Sequence, residues 1–452
     1  MKARTMLATV AGRLSEWALK TFSGGGSSFP GMLASRLDPN VLSELGKDYR
    51  TIVVTGTNGK TVTTSLLVNI LRETFDHVLT NDTGSNMLQG ITTSFITDRA
   101  QARKQTNKIA VLEVDEASLR NITEHIQPDI ILVTNVFPDQ VERYSSIDKT
   151  FDIILEGAHK APDSLLLLNG DAPTFNRENI VHPQKFYGFS SQGEEKNLLA
   201  DEKAQGTACP NCGESLRYHS LQYSNLGDYY CINCAFKRPK LDYTVEEVMD
   251  LSADSSHFTI DGYRYTLPLA GLYNIYNALA AYSVARHIGL DKEIIAAGFA
   301  KQKRLFGRQE LIKINNKEVE LNLIKNPVGL NQVIDLITEE TEPFTLISVL
   351  NDRPADGQDI SWIELGNFEA LSDLRIEKHY ISGIRKEDLE SRLVKAGFQK
   401  EKLIPLEDDK QILEAIQTAP TEKVYLLTTY TALLSVREEM VDQGFIRERM
   451  QA

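Results

Sequence analysis

Short apolar runs alternate with helical patterns through the first part of the chain. Thr51 to Thr55 is rich in β-branched residues and predicts a buried strand, which a glycine-containing stretch follows. Apolar residues at helical spacing come next, between Leu66 and Leu71. Further strands are predicted at residues 109–112, 130–134 and 165–168, with room for helices between them. This alternation indicates a parallel, doubly wound α/β sheet.

The pattern of residue types changes twice after these predicted strands. Residues 198–242 are polar, irregular and cysteine-containing, which indicates an insertion that folds around its own metal. An alanine-rich helix is predicted at residues 277–287, and a second, Rossmann-like α/β unit begins near Lys301. Its predicted strands are at residues 318–324, 344–349, 376–381 and 423–428. Because 452 residues are too many for one core, we predict two domains, residues 1–300 and 301–452, with the insertion at 201–240.

The N-terminal segment leaves two interpretations open. Residues 6–22 place apolar and basic positions at roughly helical spacing, which fits a helix packed on its own domain or a helix on a membrane surface. A glycine-rich loop is predicted at 24–28 and another helix at 38–45. Charged residues interrupt any secretory signal, and no run of about 18 apolar residues marks a membrane span. We expect a cytoplasmic protein without a transmembrane segment, with peripheral binding at the inner membrane face left open.

Charge and cysteine usage narrow the chemistry. The chain has 49 Lys and Arg against 62 Asp and Glu, a net charge of -13, which opposes general binding to nucleic acid. Cys209, Cys212, Cys231 and Cys234 form two C-x-x-C pairs with 18 residues between them. This spacing predicts a structural zinc ribbon with four thiolate ligands, in a reducing compartment. A redox pair is the alternative.

The stretch after the first strand has the character of a phosphate-binding loop. It consists of Gly56, Thr57, Asn58, Gly59, Lys60 and Thr61. Backbone amides and a helix N-terminus at this point can hold the phosphates of ATP, while Lys60 neutralises the outer phosphates and the Thr61 hydroxyl reaches Mg²⁺. Val54 stands where the strict P-loop pattern has glycine. The alternative is a glycine-rich turn with an incidental lysine.

Several further strings follow in order and together resemble one superfamily. The strings are TGTNGKT at 55–61, LEVDE at 112–116, TNVFPDQ at 134–140, GLYNIYN at 271–277 and GRQE at 307–310. They resemble the Mur ligase and folylpolyglutamate synthase superfamily, which implies a central ATP-binding domain followed by a C-terminal α/β domain. The resemblance implies that Glu113 binds Mg²⁺ with Thr61, that Asn274 lies against adenine, and that Arg308 approaches the phosphates when the domains close.

The chain also departs from the amino-acid ligases of this superfamily. Gln140 replaces a common histidine, residues 151–157 lack the lysine that many relatives carbamylate, and 322–327 replace an acid and a histidine. Only about fifty residues precede the loop, too few for an independent domain that would hold a UDP-sugar. These departures, the cysteine insertion and the strings LIKNPVG at 323–329 and ADGQDISW at 355–362 together resemble one branch, the MurT-type ligase subunits of lipid II isoglutaminyl synthase.

That resemblance implies a specific reaction and a partner. The expected reaction is ATP-dependent amidation of the D-glutamate α-carboxylate in the lipid II stem peptide, in a heterodimer with a GatD-type glutaminase that supplies ammonia. A glutaminase needs a cysteine nucleophile, and all four cysteines here are assigned to the ribbon. The resemblance suggests that Asp359, or else Asp356, completes the partner's Cys-His pair. A turn in which these acids only satisfy backbone geometry is the alternative.

Two other functions stay open at this point. The chain could be a stand-alone ligase of the folylpolyglutamate or peptidoglycan type, although Gln140 and the altered 322–327 string count against this. A docking module with a regulatory nucleotide switch is the non-enzymatic alternative, and the acidic balance disfavours nucleic acid as its target.

Overall fold

The structure is a computed structural model, and it describes most of the chain. The described residues are 2–22, 28–81, 85–102, 105–138, 146–191, 196–200, 204–252 and 254–446. Most of the predicted loop at 24–28, together with Gln140 of the TNVFPDQ string, lies outside them.

The strands alternate with helices along the chain. The described strands are β1 (Arg50–Thr55), β2 (His77–Thr80), β3 (Lys108–Glu113), β4 (Ile130–Val133), β5 (Leu165–Asn169), β6 (Gln184–Phe189), β7 (Arg217–Tyr223), β8 (Leu226–Tyr230), β9 (Tyr243–Leu251), β10 (Ser256–Ile260), β11 (Tyr263–Leu267), β12 (Glu310–Ile314), β13 (Lys317–Leu323), β14 (Phe344–Val349), β15 (Ile376–Ser382), β16 (Leu403–Pro405) and β17 (Lys423–Thr428). Each strand predicted from an apolar run is present.

The helices connect these strands or precede them. They are α1 (Ala3–Phe22), α2 (Phe29–Leu37), α3 (Val41–Gly46), α4 (Lys60–Leu71), α5 (Leu88–Ala102), α6 (Leu119–Thr123), α7 (Ile147–Ala158), α8 (Leu272–His287), α9 (Lys292–Ala300), α10 (Pro327–Thr338), α11 (Lys386–Lys395), α12 (Asp409–Gln417) and α13 (Tyr430–Asp442). None of the helices in the described ranges is both long and apolar enough to cross a membrane.

Two predicted helix starts are wrong. The helix predicted from residue 38 begins at Val41, because Asp38 instead accepts hydrogen bonds from the Thr5 hydroxyl and the Asn40 backbone N–H. The helix predicted from residue 277 begins at Leu272. Gly271, directly before it, has a φ of +93°, which is not helical, so the helix cannot begin earlier. The earlier start matters because it places residues 273 and 274 in the first turn of α8.

The first sheet has nine strands in the order β11-β10-β9-β6-β5-β4-β1-β3-β2. The seven strands from β9 to β2 in this order, β1 included, run parallel. Strands β10 and β11 extend the sheet by antiparallel pairing, with β11 at the edge. Its central strands are buried along nearly their whole length, which requires helices on both faces. The carboxyl ends of β1, β3 and β4 lie side by side, and in open α/β sheets ligands bind at such an edge.

The second sheet has six strands in the order β12-β13-β17-β14-β15-β16, parallel except for β12. Successive residues of β17 point to opposite faces. Val424 and Leu426 belong to the core under α12 and α13, whereas Tyr425 and Leu427 belong to the core under α10 and α11. This confirms a second doubly covered α/β unit. The domain boundary between residues 300 and 301 stays a prediction, and the structure has α9 ending at Ala300 and β12 beginning at Glu310.

The cysteine-containing segment forms the β7–β8 hairpin with a small core of its own that includes Leu216, Tyr218 and Tyr229. A buried ion pair joins this hairpin to the first domain. Arg238 donates to Asp171, 2.7 Å away, and the Asp171 carboxylate also accepts from the Tyr276 hydroxyl of α8 at 2.7 Å. Asp171 is fully buried. The ribbon segment, the sheet and α8 therefore meet at one carboxylate.

Candidate functional site

The loop between β1 and α4 makes two turns that only glycine accommodates. Gly56 has a φ of +122° and Gly59 a φ of +83°, both in the left-handed region. A Cβ on Gly56 would overlap the Thr134 hydroxyl, and a Cβ on Gly59 would overlap the Asn277 amide. These contacts explain why the loop passes so close to β4 and α8, and why both glycines are needed there.

The residues after β4 hold the loop in place. Asn135 accepts a hydrogen bond from the Asn58 backbone N–H at 2.9 Å on its side chain and one from Thr57 N–H at 2.9 Å on its backbone carbonyl. The Thr134 hydroxyl donates to the Asn58 carbonyl at 2.8 Å. The TN pair of the 134–140 string is therefore a brace for the loop. Lys60 and Thr61 are the first two residues of α4. Backbone N–H groups in the first turn of a helix have no acceptor within the helix, so they are suited to bind an anion.

Lys60 lies inside the loop. Its ammonium group donates to the carbonyl of Gly56 and, at 3.4 Å, to the carboxylate of Glu116. Only 11% of the Lys60 side chain and 7% of the Glu116 side chain are exposed. The loop therefore presents a partly buried cation next to the site predicted for phosphates. Glu116 ends the LEVDE string, three residues beyond Glu113, but its pairing with Lys60 was not predicted from the sequence.

The two predicted Mg²⁺ ligands lie at the same edge of the sheet. Glu113 ends β3 opposite Val54 of β1, and its side chain is 8% exposed. Thr61 is exposed in the first turn of α4 and lines the adjoining cleft. A carboxylate and a hydroxyl are oxygen donors of the kind that Mg²⁺ prefers, so this donor set fits the ion.

The first turns of α8 form one wall of the cleft. Asn274 is 2% exposed, donates to the Ala270 carbonyl at 2.8 Å and accepts from the Asn277 amide at 3.1 Å. Asn277 in turn accepts from the Thr63 hydroxyl at 3.3 Å. Asn274 thus lines the cleft, and its contact with adenine stays a prediction. Asn277 supports the loop, a role that the sequence did not indicate.

The C-terminal domain supplies the opposite wall. Asn326, the N-cap of α10, exchanges two side-chain hydrogen bonds with Asn58 of the loop, at 2.9 and 3.3 Å. The Gln309 amide donates to the Tyr273 hydroxyl of α8 at 2.6 Å. Between these contacts lies a cleft lined by residues of both domains, including Arg308. A cleft with a glycine loop on one wall and an arginine on the other suits the phosphates of a nucleoside triphosphate.

The ribbon segment also reaches this cleft. Tyr223, at the end of β7, lines the cavity. Its ring packs edge-on against Tyr276 of α8 at 5.6 Å and lies 6.0 Å from the ring of Phe137. Nothing in the sequence signalled this, because Tyr223 lies 14 residues from the first cysteine and in no recognised string. The insertion therefore completes the wall of the nucleotide cleft.

The four cysteines form one cluster, as the spacing predicted. Their sulfur atoms all lie within 4.8 Å of one another, with Cys209 3.5 Å from Cys234 and Cys212 3.5 Å from Cys231. Four thiolates about 2.3 Å from a central zinc ion would be roughly 3.8 Å apart, so the cluster fits zinc. The backbone N–H of Glu214 lowers the pKa of the Cys212 thiol to about 7, whereas burial raises the pKa of the Cys209 thiol.

The two candidate acids of the C-terminal domain have different surroundings, and neither lines the cleft. Asp356 is 5% exposed and accepts from the backbone N–H and the hydroxyl of Thr431, both at 2.6 Å, and from Arg353 N–H at 3.1 Å. It therefore caps the start of α13. Asp359 is partly exposed and accepts a hydrogen bond from Ser361 N–H at 2.8 Å. Asp359 is the acid that a partner could reach.

Family models match both domains. A model of the Mur ligase middle domain matches residues 54–285, which contain the phosphate loop and the start of α8. A model of the MurT ligase C-terminal region matches residues 323–433, which contain both candidate acids. The chain therefore belongs to the Mur ligase family.

Individual relatives narrow the position within that family. The chain is 42% identical over 450 residues to the lipid II isoglutaminyl synthase (glutamine-hydrolyzing) subunit MurT of Streptococcus pneumoniae, covering 100% of both chains. It is 34% identical over 433 residues to the subunit of the same name from Staphylococcus aureus, covering 95% of this chain and 96% of that one. A pseudomurein peptide ligase type C from Methanothermus fervidus has the same fold, with a TM-score of 0.65, 20% identity and coverage of 90% and 81%. The full-length matches place the chain among the MurT-type subunits.

A test of the cleft wall concerns Tyr223. Replacing Tyr223 by Ala should raise the KM for ATP about three- to tenfold, because an aromatic contact contributes roughly 0.5–1.5 kcal/mol beyond its buried area. Tyr230→Ala is the matched control, since Tyr230 stacks on His219 on the same hairpin and does not line the cleft. If the KM for ATP is unchanged in both the Tyr223 and the Tyr230 variants, the ribbon segment does not contribute to ATP binding.

A second test concerns the cysteine cluster. Protein purified under reducing conditions should contain about one zinc ion per chain by metal analysis, because four thiolates close the coordination sphere. The Cys209→Ser, Cys231→Ser double variant should contain little or none and should unfold at a lower temperature. Wild-type protein that is fully folded and metal-free would contradict the assignment.

Proposed function

We propose that this chain is the ATP-dependent ligase subunit that amidates the D-glutamate α-carboxylate of the lipid II stem peptide. The observation that carries this is one cleft lined both by residues of the glycine loop at 56–61 and by Arg308 of the C-terminal domain. A cation on each side of the bound phosphates suits the transfer of a phosphoryl group between a nucleotide and an acceptor held by the second domain. The full-length similarity to lipid II isoglutaminyl synthase subunits supports the choice of acceptor.

The reaction balances in two steps. A carboxylate oxygen of the acceptor attacks the γ-phosphorus of ATP, and ADP leaves with the electron pair of the broken P–O bond. Ammonia then attacks the carbonyl carbon of the acyl phosphate, loses a proton, and phosphate leaves. In both steps negative charge shifts between oxygens, so Lys60, Arg308 and the amides at the start of α4 act by positioning and neutralisation. Mg²⁺ held by Thr61 and Glu113 would supply further neutralisation.

The ammonia comes from a separate subunit in this proposal. Glutamine hydrolysis needs a cysteine nucleophile, and all four cysteines of the chain lie in the ribbon cluster. We propose a GatD-type glutaminase as the partner, in a heterodimer. The accessible carboxylate of Asp359 supports a role in orienting the partner's catalytic histidine. We place the complex in the cytoplasm, at the inner face of the membrane that carries lipid II.

The direct test supplies nitrogen in two forms. The chain is incubated with Mg-ATP and lipid II, first with ammonium and then with glutamine, with and without the glutaminase subunit. We expect amide from ammonium with the chain alone, and from glutamine only when the partner is present. No amide under any of these conditions would refute the ligase assignment, and amide from glutamine without the partner would refute the division of labour.

Variants of the two acids separate partner activation from folding. In the complex, Asp359→Asn should lower glutamine-dependent amidation roughly ten-thousandfold, the scale of losing a triad's orienting acid, while ammonium-dependent amidation is unchanged. Asp356→Asn should instead destabilise the chain by about 1–3 kcal/mol, because it disrupts buried hydrogen bonds. The exposed Asp373→Asn serves as control. The assignment to Asp359 fails if Asp359→Asn retains full activity with glutamine.

A further inference from the structure

The N-terminal helix α1 packs on its domain through small side chains. Thr5 and Ala8 are fully buried, and Thr9 is 2% exposed. Gly12 lies so close to Ile96 of α5 and to the carbonyl of Pro30 that an added Cβ would come within 3.0 and 3.2 Å of them. A helix that packs on a core normally turns its large apolar side chains inward. Here the inward face is small, so the large side chains of α1 need another explanation.

Those large side chains form one exposed stripe. They are Met6 (58% exposed), Leu7 (71%), Val10 (48%), Leu14 (62%) and Trp17 (63%). At 3.6 residues per turn they fall within an arc of about 100°, and they extend over about 16 Å of helix. Single exposed apolar residues are ordinary, but a continuous stripe on one helix indicates a surface that is covered in use.

The charge of this region separates it from the rest of the protein. Residues 2–37 contain five basic side chains and one acidic side chain, in a chain whose net charge is -13. Lys2, Arg13 and Lys20 lie along one border of the stripe on the helical projection, and all three are exposed. The acid Glu16 accepts from the Thr97 hydroxyl of α5 at 2.9 Å and from the Lys20 ammonium at 2.7 Å. Lys20 is therefore paired within the helix, whereas Lys2 and Arg13 face no acid of α1.

From this combination we infer that α1 is a membrane-surface helix that seats the protein on a bilayer containing anionic lipid. An apolar stripe with a tryptophan and a basic border is the pattern of a helix that lies in the headgroup region, with its stripe in the acyl boundary. Basic side chains beside the stripe complement anionic headgroups, whereas the acidic remainder of the chain is repelled by them. The packed inward face keeps the helix attached to the domain.

The position of α1 suits an acceptor at a membrane. Gly12 contacts the start of α2, and Ser28 before α2 lies 3.2 Å from Ser85 before α5. The Asn86 carbonyl, in the same turn, accepts from the Asp115 N–H just after β3. The helix is thus joined through two turns to the edge of the sheet that carries Glu113. Delivery of a lipid-linked acceptor to this edge rests on the proposed function, whereas membrane binding by α1 does not.

Vesicle binding of the full chain tests the inference. Vesicles of phosphatidylcholine with and without one-quarter phosphatidylglycerol are sedimented with the wild-type chain and with the Leu7→Gln, Leu14→Gln double variant. We expect the wild type to bind the anionic vesicles. The double variant should bind at least about tenfold more weakly, because it lacks two leucines that would be buried in the bilayer. Val181→Gln, Ile384→Gln is the matched control, since it removes two exposed apolar residues elsewhere, 87% and 52% exposed.

The other outcomes overturn the inference. The wild type could stay in solution with anionic vesicles, or the double variant could bind as well as the wild type. A double variant that instead loses self-association, or loses its complex with the glutaminase subunit, would assign the stripe to a protein interface. Amidation of a water-soluble lipid II analogue should be equal in wild type and double variant. Its absence in both would count against the proposed function and not against membrane binding.

Discussion

The nucleotide loop depends on being held from three sides. On one side, Thr134 and Asn135 form hydrogen bonds with the backbone of residues 57 and 58. On a second side, the Asn277 side chain lies against Gly59. Across the cleft, the Asn326 side chain forms hydrogen bonds with the Asn58 side chain. A loop of this kind has few contacts of its own, so its shape is set by neighbours from both domains. The amides at the start of α4 and the Lys60 ammonium are then oriented before any ligand binds, which lowers the entropic cost of binding. The chemistry of the site follows from this preorganisation.

The ribbon insertion has a structural link to the same site. Arg238 reaches the fully buried Asp171, which also accepts from Tyr276 of α8 and from the backbone of Phe189. Burial raises the pKa of Asp171, and the Arg238 guanidinium opposes that shift. Tyr223 packs on Tyr276 at the cleft. The hairpin that carries the cysteine cluster is thus fixed to the helix carrying Asn274 and can hold one wall of the cleft in place.

Sequence alone predicted the parts of this fold that local patterns determine. The central strands are apolar runs, and β14 and β17 are buried on both faces, so each appears in the sequence as a nearly continuous apolar run. Strands β9 to β11 were not predicted, because they lie at one side of the sheet, carry many polar residues and contain no such run. The loop, Asn274, Arg308 and the cysteines were found through short strings. Tyr223, Asn326 and Glu116 were not, because their roles arise from contacts between distant segments, 268 residues apart for Asn58 and Asn326.

The central claim is that the turn at residues 56–61 binds a nucleotide whose terminal phosphate is transferred. Calorimetric titration of the isolated chain with Mg-ATP, for wild type and Lys60→Ala, tests it most directly, with the exposed Lys378→Ala as control. We expect measurable affinity for the wild type and the control. We expect a loss of about tenfold or more for Lys60→Ala, the value of a charge-assisted hydrogen bond, together with loss of amide formation. No affinity of the wild type for Mg-ATP, or full product formation by Lys60→Ala, would contradict the central claim.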